Sequence, residues 1–172
     1  LTLIQFILLL VGRMPVFDAV CTAFGTAGTG GFGIRNDSIA GYSPYLQWVI
    51  TIFMLLFGVN FNAYYFILFG NARKAFKMEE VRCYFIIVSV AVITIELFRS
   101  AVPFANALRD SSFQVASIIT TTGFSTADFN LWSGTSRTIL VMLMFVGACA
   151  GSTGGGMKVS RFVILFKTVF KE

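Results

Sequence analysis

The sequence predicts an all-α membrane protein built from repeated units, each a helix, a short re-entrant helix with a loop, and a second helix. Three observations carry that expectation. The chain is 56% hydrophobic and only 12% charged, with a mean hydropathy of +0.81, which is too apolar for a water-facing surface. Its apolar stretches alternate with stretches rich in glycine and threonine. The two most prominent of these, GTAGTGGFG at 25–33 and TTTGFSTADF at 120–129, fall into register at an offset of 92 positions, which sets Asp18 on Asp110, Gly31 on Gly123 and Phe32 on Phe124.

The elements follow in order. LTLIQFILLLVG stops at Arg13 and lacks the basic start and cleavage signature of a signal peptide, so it reads as the stump of a truncated helix. PVFDAVCTAF is an amphipathic segment of two to three turns, with Asp18 near its start, where a carboxylate complements unsatisfied amides. After the first glycine loop and a polar stretch, Tyr45 to Gly70 contains no charged side chain. At about 1.5 Å per residue it exceeds the roughly 20 residues that cross a ~30 Å hydrocarbon core, and a single transmembrane helix is expected. NARKAFKMEEVR at 71–82 is a charged linker. Cys83 to Ile95 spans only if extended to Phe98, which leaves Glu96 as an interfacial side chain or, in the sharper reading, a functional buried acid. RDSSFQVASII and TTTGFSTADFN then repeat the short helix and loop, with Asp110 near the helix start. Thr138 to Ala150 is too short to cross, GSTGGG interrupts it, and MKVSRFVILFKTVF resumes helical character.

The net charge of +5 is placed in a way that argues against a nucleic-acid partner. Arg73, Lys74, Lys77 and Arg82 in the linker, and Lys158, Arg161, Lys167 and Lys171 near the C-terminus, face the cytoplasm by the positive-inside rule. Arg13, Arg35, Arg99, Arg109 and Arg137 go to the other side. The chain has no histidine, which excludes His-based acid–base catalysis and the usual zinc constellations; no enzyme activity and no resident cofactor or metal centre are expected. Cys21, Cys83 and Cys149 are scattered among apolar neighbours and read as small buried side chains.

A short helix of about ten residues covers half of a membrane crossing, so it must enter and turn back. One long span then runs inward and the next outward, so both loops sit on the outer face and the repeats are parallel. Irregular backbone at membrane depth is tolerated only within protein or beside water, because unsatisfied amides and carbonyls are costly in lipid. Glycine allows successive carbonyls to point one way, and threonine adds a hydroxyl oxygen; such oxygens can replace the water around a dehydrated monovalent cation. Phe32 and Phe124 would pack behind the loops. GTGGFG at 28–33 matches the dinucleotide fingerprint, but a helix precedes it and no acid follows in the required place. GSTGGGMK fails as a phosphate loop because Met157 separates the last glycine from Lys158. A broken helix lining a cavity, or a simple glycine kink, remains for that segment. Asn60 and Asn62 are candidate pore side chains or interhelical contacts. A secondary transporter binding a small solute at the broken helix and a non-conducting scaffold subunit are the competing functions.

TAGTGGFG, FGVNFNAYYFIL, TTTGFSTADFNLWSG and GACAGSTGGGMKVSR, in that order, resemble the TrkH/KtrB superfamily of potassium transport proteins, nearer its TrkH branch, over essentially the whole chain. The resemblance implies units of potassium-channel type, four of them around one pore in the complete protein. It implies that residues 1–70 hold the second unit with a truncated first helix, 71–82 a cytoplasmic linker, and 83–172 the third unit with an interrupted second helix. The filter backbone would be Gly28, Thr29, Gly30, Gly31 and Phe32 with Thr120, Thr121, Thr122, Gly123 and Phe124. Gly151, Ser152, Thr153, Gly154, Gly155 and Gly156 would be the intramembrane gating loop. K+ is the implied transported ion, bound by filter backbone alone. Membrane lipid, a first and a fourth unit, a second copy in a homodimer, and a cytoplasmic nucleotide-binding subunit of the TrkA/KtrA type are the implied partners of a multi-pass protein of the inner cell membrane. Two loops make only half a ring of oxygens, so the chain alone should not conduct.

Overall fold

The computed structural model describes residues 1–70, 72–98 and 103–169, and among these the only strand-like pairing is an isolated bridge between Val146 and Met157. Arg99 and Lys171, which entered the charge assignment, lie outside the described residues. Helix α1 (Thr2–Val11) turns through Gly12 and Arg13 into α2 (Val16–Ala27), which starts directly after Pro15 and carries Asp18 in its first turn. Ser43 caps α3 (Pro44–Phe57), with proline at the first helical position, where its missing N–H costs nothing. The chain continues through α4 (Phe61–Leu68), α5 (Ala72–Lys77), α6 (Glu79–Leu97), α7 (Phe104–Ile119), α8 (Gly134–Phe145) and α9 (Val159–Val169).

Helix α7 lies between α3 and α6, while α2 lies between α1 and α3. Phe113, Val115, Ala116 and Ile119 of α7 are fully buried, and so is the polar Ser111. The C-terminal half of α7, enclosed in this way, joins the two halves. One core gathers Leu9, Ile50, Met54, Phe113 and Phe124; the other gathers Tyr84, Val88, Ile119, Leu140 and Val159, so α7 contributes to both. The outer surface is apolar, with Ile7, Ile52, Ile86, Ile93, Met142 and Phe145 all exposed, as expected of a chain that meets lipid or further apolar protein.

The stretch from Tyr45 to Gly70 is not the single helix expected of it. Helices α3 and α4 meet at a bend of 93°, and no single helix among the described residues is long and apolar enough to cross a membrane. The carbonyls at the break have other partners. Tyr84 Oη donates to Leu55 O at 3.3 Å, Tyr64 Oη donates to Leu56 O at 2.5 Å, and the Cys149 N–H donates to Gly58 O at 3.0 Å. The Asn60 side chain then caps α4 by accepting from the Asn62 N–H at 2.9 Å. A side chain at Gly58 would meet Tyr84 Oη at 2.5 Å, so the helix must end on glycine there. Hydropathy cannot register such a break, because every residue around it is uncharged.

Two further expectations are corrected. Helix α7 has 16 residues rather than about ten, beginning at Phe104 directly after its N-cap Pro103, so Asp110 sits in its second turn instead of near its start. Helix α8 ends at Phe145, not Ala150, and the interruption runs from Val146 to Lys158, wider than GSTGGG alone.

Candidate functional site

Each glycine–threonine loop begins as the C-terminal cap of a helix, and the two caps are built alike. Gly28 and Thr120 end α2 and α7 with φ, ψ of −89°, 0° and −87°, −1°. Thr29 and Thr121 follow in the left-handed region at φ +50° and +55°, and Gly31 and Gly123 return to it at +66° and +88°. The backbone hydrogen bonds repeat in the same register. Gly28 N–H donates to Phe24 O and Thr120 N–H to Ala116 O; Thr29 N–H to Thr26 O and Thr121 N–H to Ile118 O; Gly30 N–H to Gly25 O and Thr122 N–H to Ser117 O. A backbone whose φ alternates in sign turns every second peptide plane over, so neighbouring carbonyls that would diverge in a strand can share one side. Threonine at a positive φ is uncommon, and its occurrence at two matched positions marks strain held by the surroundings.

The two loops touch. An added Cβ at Gly31 would stand 1.8 Å from Thr122 O, so the backbones pass as closely as glycine permits. Outside this contact the Ile39 N–H donates to Ser125 O at 3.0 Å, and the Ser125 N–H donates to Ser38 Oγ at 3.2 Å. Behind the second loop, Ser117 Oγ donates to Phe124 O at 2.5 Å, and the Thr120 and Thr122 hydroxyls lie 2.7 Å apart. Behind the first, Gln5 Nε2 donates to Thr26 Oγ1 at 2.9 Å. Phe124 is 1% exposed and packs behind its loop as expected, whereas Phe32 is 85% exposed and is not packed behind its loop among the described residues.

The interruption between α8 and α9 folds directly against both loops. Thr29 Oγ1 lies 3.1 Å from Thr153 O, and the Gly155 N–H donates to Thr121 Oγ1 at 2.6 Å, so the two matched threonines each hold one point of it. Its base is closed by the Gly147 N–H donating to Met157 O at 2.8 Å, and Lys158 Nζ donates to Gly154 O. A Cβ at Gly147 would lie 2.3 Å from Gly155 O, which accounts for glycine where the two arms of the loop meet. Gly28, Gly30, Thr121, Gly123, Thr153 and Gly155 are exposed, so backbone from all three segments opens at one place on the surface.

The three segments 28–32, 120–124 and 151–156 thus meet one another, at Gly31 and Thr122, at Thr29 and Thr153, and at Thr121 and Gly155. Asn60, read as a pore side chain or an interhelical contact, makes an interhelical contact: its Nδ2 donates to Glu80 Oε2 of α6 at 3.2 Å while its Oδ1 caps α4 at the α3–α4 break. Sequence reasoning missed Glu80, which falls within the expected linker but belongs to α6, and which also accepts from the Ala150 N–H at 2.5 Å. The described residues contain no group of His, Cys, Asp and Glu able to hold a metal ion.

Over residues 5–172 the sequence matches a family of cation transport proteins. The family is TrkH, and this chain belongs to it. It is 34% identical over 168 residues to the Trk system potassium uptake protein TrkH of Salmonella typhimurium, an alignment covering 92% of this chain and 34% of that protein. It is 32% identical over 158 residues to the Trk system potassium uptake protein TrkI of Halomonas elongata, covering 90% of this chain and 32% of the relative. The crystal structure of the potassium transporter TrkH from Vibrio parahaemolyticus superposes with a TM-score of 0.90 at 31% identity, over 96% of this chain and 37% of that one. The chain spans about one third of the length of the curated relatives it matches. Members of that family are cation transport proteins.

Proposed function

We propose that this chain contributes two pore units to a potassium uptake protein, in which ions pass down their electrochemical gradient through a carbonyl-lined filter. Residues 1–70 are the second unit, 71–82 a cytoplasmic linker and 83–172 the third unit. Helices α2 and α7 are the re-entrant helices, Gly28 to Phe32 and Thr120 to Phe124 the filter strands, and Gly151 to Gly156 the gate beneath them. The observation that carries the reading is the matched pair of turns, with positive φ at Thr29, Gly31, Thr121 and Gly123 and direct contact of the two loops at Gly31. Oxygens on backbone held this firmly can substitute for water around a dehydrated cation without rearranging. Two further units complete the ring, and lipid surrounds the apolar exterior. As the family resemblance implies, the complete protein is a multi-pass inner-membrane homodimer controlled by a cytoplasmic nucleotide-binding subunit of the TrkA/KtrA type.

What supports the gate reading is the contact of the 151–156 segment with both loops, through Thr29 Oγ1 to Thr153 O and through the Gly155 N–H donating to Thr121 Oγ1. The filter reading is tested by Gly123→Ser in the complete transporter. A side chain at φ +88° is strained, so the strand relaxes and the ratio of potassium to sodium uptake falls severalfold. An unchanged ratio in correctly folded protein sinks the filter assignment.

A further inference from the structure

We infer that Glu80 is a positioning residue that latches the gating loop shut from the first turn of α6, with Asn60 as the second arm of the latch. The inference rests on the gate reading above and adds to it the element that holds the gate. Glu80 is half-buried, and its two carboxylate oxygens serve two different segments: Oε1 accepts from the Ala150 N–H at 2.5 Å and Oε2 accepts from Asn60 Nδ2 at 3.2 Å. Both ends of the Asn60 amide are engaged, because its Oδ1 caps α4 through the Asn62 N–H. One carboxylate therefore joins the start of α6, the α3–α4 break and the residue immediately before GSTGGG.

The other ties on that side of the loop are uncharged. The Phe61 N–H donates to Gly151 O at 3.0 Å and the Cys149 N–H to Gly58 O at 3.0 Å, both from backbone at the same break. Toward the filter the ties are the two threonine contacts, again between neutral groups. A hydrogen bond to a carboxylate is about twice as strong as one between neutral partners, so Glu80 is the strongest tie on the side of the loop that faces the α3–α4 break, while Lys158 makes the charged bond on the other arm, to Gly154 O. The charge is itself favoured where it sits, in the first turn of α6, by the exposed amides of the helix N-terminus. Its neighbour Glu79 pairs with Lys167 on α9, so the turn that holds the loop is also held by the helix that follows the loop. Displacement of that turn would release Ala150 without disturbing the base of the loop at Gly147 and Met157.

A charge exchange tests the latch. Asn60→Asp is isosteric and preserves the helix cap, but sets a second carboxylate against Glu80 where a donor stood. In the complete transporter it should raise basal potassium uptake about tenfold while leaving the potassium-to-sodium ratio unchanged. Glu80→Gln alone keeps an acceptor for Ala150 and loses the Asn60 contact, so the rise should be about two- to threefold. The double variant restores one donor and one carboxylate across the same gap, and should return uptake to within about twofold of the unsubstituted protein. Hydrogen–deuterium exchange of residues 147–157 reads the latch without any ion: faster in Asn60→Asp, restored in the double variant. Failure of the double variant to restore exchange, or equal exchange in all proteins, overturns the latch whatever the flux. Loss of selectivity together with raised flux also overturns it, because the filter rather than the gate would then have moved. Absence of potassium-selective uptake in the unsubstituted protein counts against the transport reading, and the exchange result still decides the latch.

Discussion

Substitution of Gly31 by alanine should be far more damaging than the same change at Gly123, although the two occupy matched positions. Both glycines have positive φ, +66° and +88°, so each alanine variant bears a conformational cost of about 1–2 kcal/mol. The surroundings differ. At Gly123 nothing among the described residues outside its chain neighbours lies within 4 Å of an added Cβ, so the conformational cost is the only one these residues impose. At Gly31 the Cβ would stand 1.8 Å from Thr122 O, 2.8 Å from its carbonyl carbon and 3.1 Å from Gly123 Cα. These are backbone atoms of the opposing loop, and no rotamer change relieves the overlap. The Thr122 carbonyl must retreat by more than about 1 Å, and overpacking of this kind adds about 1–3 kcal/mol. A filter tolerates such a displacement poorly, since a shift of about 1 Å in a positioned group can cost about a hundredfold in rate. The assay is thermal unfolding in detergent together with potassium and sodium uptake into vesicles, for both variants of the complete transporter. Gly31→Ala should unfold at a lower temperature than Gly123→Ala and lose more potassium selectivity. Equal unfolding temperatures and equal ratios would refute the close approach of the two loops.

Shortening the 151–156 segment should raise uptake severalfold if it obstructs the path; unchanged uptake by folded protein removes the gate assignment. Tyr42 Oη donates to Asp18 Oδ2 at 2.7 Å, tying the stretch after the first loop to the start of α2. Burial, and then the hydrogen bond to Asp18, push the Tyr42 hydroxyl up to about 12, so it remains a donor throughout neutral pH. Tyr42→Phe should lower stability by about 1–3 kcal/mol. Because the folded-state value is raised, the gap between the two proteins should hold steady below the ordinary tyrosine value of 10.0 and close as pH climbs toward about 12. A gap already closing at neutral pH would show that the hydroxyl is not the donor.

The loops were legible because their chemistry is local. Glycine at 31 and 123 announces irregular backbone by residue type, and the 92-residue offset is visible without any coordinates, whereas the positive φ of Thr29 and Thr121 is not legible from threonine itself. The break at Gly58 was not legible in the same way. GVN sits inside an uncharged run, and the partners of the Leu55, Leu56 and Gly58 carbonyls, which are Tyr84, Tyr64 and Cys149, leave no local pattern in the sequence. Glu80 was hidden for a related reason: in KMEEVR it looks like one more solvated charge, and nothing in the string points to the Ala150 amide seventy residues later.

What the sequence determined by itself is the conformational vocabulary: which positions can adopt positive φ, which segments must avoid water, and which two segments are copies of each other. Those are properties of single residues and short-range periodicity, and they survive without knowledge of neighbours. The tertiary structure alone decided partnership. It set the Gly31 and Gly123 loops in contact, buried Phe124 while leaving Phe32 exposed, and joined Glu80, Asn60 and Ala150 into one restraint. Equivalent letters in the two repeats met different surroundings, and a hydrogen bond or a steric limit depends on which atoms arrive at a site as much as on the residue waiting there.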